Sequence, residues 1–508
     1  MRSLWMIVAL LGAPFAAHAL DHRPLAAASD KLSAATEATR QTVLAGLRDA
    51  AQDNTADANE ELYKAVYGSR FGQLPEDLRY RTLLVLGMLA GQDADRQGEA
   101  HGLLLRATAM DQADGDAWLA RSSTAYALGD YADSARSVTE IARRWPDVLH
   151  RIFDQPIYII DTKLAADPAQ TATRQAMLQA LFDARWTDRD GEPSTLWREL
   201  SNLLLVQGKT AQAAAVASRI TSARVILSMR VDKRFDALVQ RDPQAFDVDR
   251  TMAAELAAAR AAVVAHPDRL RPLTTLQTLM LDTGQNRQVL AVTDAVMANV
   301  RAGKGKSSYK DFDDRYVWII DQRARALARL GRWDEAAEQW AAATRQPEQG
   351  GMNVSQIINL GDYYADRREP IRALDMVAEL GNMSPYGRMN LELVKLKVAV
   401  QQHDQAGTAE HLAYMRAHRN DAIALWQRAL LVSGDLDGAA DLLLQRLRNP
   451  AWRSSALVDM QHYAAIRMTP VEAEISTRWT KVVAQPAVQK ALQSVGRIES
   501  FRLDPDQL

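Results

Sequence analysis

Cysteine is absent from the 508-residue chain, so no disulfide can brace it and its stability has to come from packing. Phenylalanine and tyrosine are scarce, at 8 and 13 residues, isoleucine is sparse and alanine dominates, a balance that favours helix over strand. An excess of one charge is lacking too. The 61 Lys and Arg stand against 63 Asp and Glu, which gives no reason to expect nucleic acid as a partner. Long apolar runs are missing beyond the N-terminus, so no later segment is expected to cross a membrane. What is there is an ordinary soluble mixture, 47% hydrophobic and 24% charged, in a chain long enough for several domains or one extended array.

The first residues differ from the rest. Met1-Arg2-Ser3 is a short basic start, Leu4 to Phe15 is an apolar run of 12 residues, and Ala17-His18-Ala19 sets small residues in an A-x-A arrangement. The run is shorter than the ~20 residues a transmembrane helix needs. Together the three parts read as a secretory signal at 1–19, cut after Ala19. With no Cys at the cleavage point, a lipoprotein anchor is excluded. A disulfide-free exported chain of this size suits a bacterial periplasm, which is the expected location.

Beyond that point a turn keeps returning: Leu128–Tyr131 (LGDY), Gln207–Thr210 (QGKT), Leu330–Trp333 (LGRW) and Ser433–Leu436 (SGDL). Each lies between two helical stretches, and glycine ends a helix in the left-handed conformation without steric penalty. Five residues after the four glycines stand Ser134, Ala213, Ala336 and Ala439, small enough to let two helices cross closely. Nine after come the apolar Val138, Ala217, Trp340 and Leu443; eleven before come Trp118, Trp197, Ile320 and Ile423. Pro146, Pro347 and Pro450 close three of the units. A further stretch fits the frame without the glycine, with Leu360, Gly361 and Tyr364 on its first helix, Ala373 as the small residue and Pro385 at its end.

The pattern of Trp, Leu-Gly, Tyr, Ala and Pro at a period near 34 resembles the tetratricopeptide repeat. The clearest units are 115–148, 194–226, 317–350, 354–386 and 420–451, with degenerate ones at 76–112, 252–300 and 387–419. The resemblance implies an all-α fold, an α-solenoid of stacked helix hairpins in a right-handed superhelix. The expected organisation is a signal at 1–19, capping helices at 20–75, an array at 76–300 with a degenerate segment at 147–193, a linker at 301–314, a second array at 315–451, and capping helices with a loose tail at 452–508.

Several chemical motifs fail on inspection. Gly303-Lys304-Gly305-Lys306-Ser307 lacks the upstream glycine and the strand of a phosphate loop, so it reads as a flexible loop. His403, His411 and His418 are separated by gaps of 8 and 7, not the three or four that place metal ligands on one helical face. No catalytic frame of paired carboxylates or nucleophile and base appears. Trp118, Trp197, Trp333 and Trp340 fall at apolar repeat positions and are expected in the core.

The resemblance further implies that the first helix of each hairpin lines a concave groove. Projected on that frame, the groove-facing residues are Arg198 and Asn202, then Asp321, Arg325 and Arg329, then Asp362, and finally Arg428. Trp318 joins them, because it precedes the core anchor Ile320 by two and should face elsewhere. Such side chains can hydrogen-bond a peptide backbone or carboxylates. The function so implied is a non-catalytic periplasmic scaffold or adaptor without metal or cofactor, holding a protein or peptide partner, in an envelope or exopolysaccharide export assembly. The rival is an enzyme, or a glycan or small-ligand binder, with its site in the non-repeat segments near 147–193 or in the C-terminal part.

Overall fold

The computed structural model describes residues 33–346 and 352–503. The expected signal segment, Pro347 and the last residues of the expected tail lie outside the described residues. Every regular element among them is helical, and strand-like pairing is confined to three isolated bridges. The fold is all-α, an α-solenoid of stacked, tetratricopeptide-like helix hairpins. The chain divides into two compact units, Met1–Ile220 and Thr221–Leu508, and not at the 301–314 segment.

Helices of eight residues or more are numbered in chain order. The first unit contains α1 (Ala34–Ala51), α2 (Thr55–Val66), α3 (Glu76–Ala90), α4 (Gln97–Thr108), α5 (Gly115–Ala127), α6 (Tyr131–Arg144), α7 (Asp154–Ala165), α8 (Thr171–Asp183), α9 (Ser194–Val206) and α10 (Thr210–Ala217). Consecutive helices pair as α1–α2, α3–α4, α5–α6 and α9–α10, and neighbouring pairs touch through α4 on α5 and α8 on α9. The degenerate 147–193 segment supplies a pair of its own. There α7 and α8 are joined by a turn that Asp167 caps and Pro168 stiffens, with no left-handed glycine, and α8 packs back on α6.

The second unit contains α11 (Ala223–Val231), α12 (Val248–Ala265), α13 (Arg271–Asp282), α14 (Asn286–Arg301), α15 (Phe312–Arg329), α16 (Trp333–Thr344), α17 (Val354–Asp366), α18 (Pro370–Val377), α19 (Pro385–Gln401), α20 (Gln405–Ala417), α21 (Ile423–Ser433), α22 (Leu436–Arg448), α23 (Pro450–Asp459), α24 (Pro470–Val483) and α25 (Pro486–Val495). Successive pairs stack from α11 to α23, and α23 returns to touch α11, so the row of hairpins in this unit closes on itself. The segment expected as a linker is ordered here. Asp311 accepts from the backbone N–H of Leu270 and Arg271, and Lys306 pairs with Asp313.

The turns show why these residues make hairpins. Gly129, Gly208, Gly331 and Gly434 all have φ between 73° and 82°, where a side chain is strained. Ser134, Ala213, Ala336 and Ala439, five residues on, are wholly buried. At three of the crossings a side chain on the first helix bonds the carbonyl at that small position: Ser122 to Ser134, Ser201 to Ala213 and Gln427 to Ala439. These bonds satisfy polar side chains that would be costly to bury alone.

Candidate functional site

The chemistry of the second unit gathers on α15, α17, α19 and α21. Asp321 and Arg325 lie one turn apart on α15, and Arg329 one turn further. Asp321 is buried, and its carboxylate accepts from Arg325 Nε at 2.8 Å, Trp340 Nε1 at 2.8 Å and Asn359 Nδ2 at 3.1 Å. On α17, Asp362 and Asp366 share a face with Asn359 and meet Lys397 of α19, whose Nζ lies 2.6 Å from Asp362 and 2.7 Å from Asp366. Arg428 of α21 follows at 3.6 Å from Asp366. The row alternates in sign and ties four consecutive first helices together.

The two carboxylates of α17 titrate differently. Burial pushes Asp362 up, but the charges of Lys397, Arg428 and Arg325 outweigh it and hold the group below its ordinary value. Asp366 is raised to about 6, by burial and by the neighbouring Asp362 charge, against the opposing pull of Lys397 and Arg428. One ammonium serves both carboxylates, and like charges this close cannot both be fully accommodated.

Beside this row lies a cavity of about 180 Å³ between α15, α16, the tip of α17 and residues 466–479. Arg325 and Arg329 of α15, and Arg467 ahead of α24, give it three guanidinium groups against the single carboxylate of Glu472. Trp333, Trp340, Tyr363 and Trp479 give it aromatic walls. Trp340 and Tyr363 are in ring contact at 4.5 Å between centroids. Burial pushes the Tyr363 hydroxyl up to about 12, so it stays protonated and donates to the Trp333 carbonyl.

Helix α24 is held over this wall by several bonds. Thr469 and Glu472 form a capping box at its start. Arg478 Nη1 donates to the carbonyls of Leu431 and Val432, and Glu474 pairs with Arg368. The residues after α25 are tied as well. Glu499 pairs with Arg230 at 2.6 Å, Arg497 pairs with Asp236, and Phe501 and Leu503 are buried. The segment through Leu503 is thus packed, where the sequence reads as a loose tail, because its ionic partners lie more than 250 residues away in the chain and Phe501 packs on Tyr463, pairings that leave no local mark.

Among the sequence-predicted residues, Asp321, Arg325, Asp362 and Arg428 come together in the ionic row, and Arg325 and Arg329 line the cavity. Asp321 at 1% exposure and Arg428 at 14% are turned to internal partners and present little to solvent. Trp318 is half-buried on α15, outside both the row and the cavity lining. Arg198 and Asn202 lie on α9 of the first unit. There Arg198 pairs with the adjacent Glu199, which also accepts from Arg174, and Asn202 is half-buried.

Sequence reasoning missed Lys397, Arg467 and Trp479. Lys397 sits mid-helix in an apolar run (LELVKLKVAV), and a lysine there is a signal of a buried ion pair. Thr469-Pro470-Val471-Glu472 announces the start of α24, but nothing local says which wall it covers. Among the described residues no group of three or more His, Asp or Glu could hold a metal ion. His411 instead bonds Glu392 at 2.7 Å, and His403 sits in a helix-to-helix turn.

No family model matches the chain, and no curated protein does. Among solved structures it is similar to the APC/C hetero-tetramer Cut9-Hcn1, at 11% identity over 91% of this chain and 86% of that one, with a TM-score of 0.29. It is similar also to Naa15/Naa10 bound to HypK-THB, at 12% identity over 89% of this chain and 74% of that one, with a TM-score of 0.24. The class rests on the chain's own hairpins: an α-solenoid whose second unit covers part of its first-helix wall with α24.

Proposed function

We propose that this protein is an exported, non-catalytic binding protein, a scaffold or adaptor that holds a protein or peptide partner against the first-helix wall of its second unit. The observation that carries this reading is the tryptophan-walled cavity lined by Arg325, Arg329 and Arg467. Aromatic and arginine side chains together are the residues that dominate binding energy at protein interfaces. Residues 1–19 support export to the periplasm. A place in an envelope or exopolysaccharide export assembly rests on analogy with the repeat family alone.

The test uses the full-length chain made in its native host. N-terminal sequencing of the mature protein should begin at Leu20; retention of Met1 would remove the export claim. Crosslinking in the intact envelope should trap one reproducible partner that is lost in Arg325→Ala. Turnover of a defined substrate by the pure protein would end the scaffold reading.

The same cavity favours a second reading, a small-ligand binder. Residues 466–479, outside the clear repeats, supply more than half of its lining.

A further inference from the structure

The cavity beside α15 and α24 presents two kinds of surface. The first is apolar. Trp340 Nε1 is engaged by Asp321, Trp479 Nε1 by the Asp459 carbonyl and the Tyr363 hydroxyl by the Trp333 carbonyl. With those polar ends occupied, what the rings offer a guest is carbon. Ile466 and Ile475 extend that lining.

The second surface is cationic. Its cationic groups are those of Arg325, Arg329 and Arg467, and its one lining carboxylate, Glu472, already accepts from the backbone N–H and hydroxyl of Thr469 through Oε2. Asp321 balances Arg325. Arg467 is exposed at the rim and lies against Gly331, where an added Cβ would collide with its guanidinium. The absence of a side chain at 331 therefore leaves the room in which Arg467 rests.

The size narrows the guest further. A cavity of about 180 Å³ is close to the ~150 Å³ engineered cavity that accepts a single benzene ring. We propose that this cavity is a binding site for a small carboxylate carried on one ring. The ring packs against Trp333, Trp340 and Trp479, and the carboxylate is held at the rim by Arg467. Two sources share that chemistry, an aromatic acid and an acidic sugar. A sugar ring stacks its C–H face on tryptophan as an aromatic ring does, and guanidinium groups bind either carboxylate. This rests on the small-ligand reading of the same cavity given above; envelope crosslinking tests the macromolecular reading separately, and a small acid can bind here whether or not an adduct forms.

The experiment is a titration of the full-length mature protein, read by tryptophan fluorescence and calorimetry, with phenylacetate, phenylacetamide, glucuronate and glucose. At least one acid should bind saturably, about tenfold more tightly than its neutral counterpart. Arg467→Gln, an exposed position, should abolish that preference, and Arg345→Gln should keep it. Phenylacetate alone assigns an aromatic acid; glucuronate alone assigns an acidic sugar. Absence of binding by both acids, equal binding of acid and neutral probe, or an unchanged preference in Arg467→Gln overturns the proposal.

Discussion

Lys397 has no exposed side-chain surface, yet it carries a charge into the packing between α17, α19 and α21. Its ammonium is tolerable there only because Asp362 and Asp366 flank it. Lys397→Ala would leave the buried Asp366 facing the half-buried Asp362 without their shared ammonium, and breaking the buried Lys397–Asp366 pair in this way costs about 3–5 kcal/mol. Urea unfolding of the variant should show that loss, and a change below about 1 kcal/mol would mean that water reaches the cluster.

Asp366 makes the same cluster sensitive to pH. Its folded value of about 6 lies above the ordinary 3.8, so between those values the folded chain holds a proton that the unfolded chain has released. Stability from this group is therefore full below the unfolded value and declines as pH rises through about 6. Asp362, held low, acts in the opposite sense: its contribution is present above its unfolded value and is lost as pH falls through its folded one. Asp366→Asn should flatten the fall in melting temperature between about pH 4 and pH 6. An unchanged slope would show that Asp366 is ionised throughout.

The hairpins are where the sequence speaks most clearly. The glycine frame at 129, 208, 331 and 434 is legible because one residue type alone takes φ near +75° cheaply. It also fits Gly284, with φ +69° and with Val289 and Thr293 buried five and nine residues on, a turn inside the unit that reads as degenerate in the sequence. Three hairpin turns are made without glycine. Asp53 has φ +59°, Arg368 φ +63° and His403 φ +58°, and Ala58 and Ala373, five after Asp53 and Arg368, are wholly buried like their counterparts. The frame thus persists where its most visible residue has been replaced.

That replacement carries a strain. A left-handed conformation costs a side-chain-bearing residue roughly 1 kcal/mol. His403→Gly should stabilise the protein by up to that amount, offset in part by the greater freedom glycine gives the unfolded chain. Arg368→Gly would also lose the Glu474 pair and is the poorer test. At the crossing of α17 and α18, a Cβ on Gly361 would stand 2.7 Å from Val377 Cγ1. Gly361→Val should therefore force the pair apart and destabilise by about 1–3 kcal/mol, seen as a lower denaturant midpoint.

At the scale of the whole molecule, two units share one construction, and the second is closed by contacts that no local pattern announces. The pairing of Arg497 with Asp236 and of Glu499 with Arg230 joins residues more than 250 apart in the chain. A repeat period shows which helices pair; it is silent about where the row ends. For the same reason the Asp321, Arg325, Asp362 and Arg428 set could be read from the first-helix frame, and the cover supplied by α24 could not. Truncation after Val495 would expose the sites of Phe501 and Leu503, whose burial is worth about 1.5–3 kcal/mol each. The shortened protein should melt earlier, with the transition of the second unit lowered and that of Met1–Ile220 unmoved; lowering of both would mean the units do not unfold separately.

The account turns on which wall of the second unit does the binding. A photo-crosslinking residue placed at Ser476, on the cavity side, and another at Ile371, exposed on α18, would separate the two walls in the intact envelope. The account expects one discrete adduct from position 476 that disappears in Arg325→Ala, and none from position 371. The same adduct from 371, or persistence at 476 in Arg325→Ala, would contradict it.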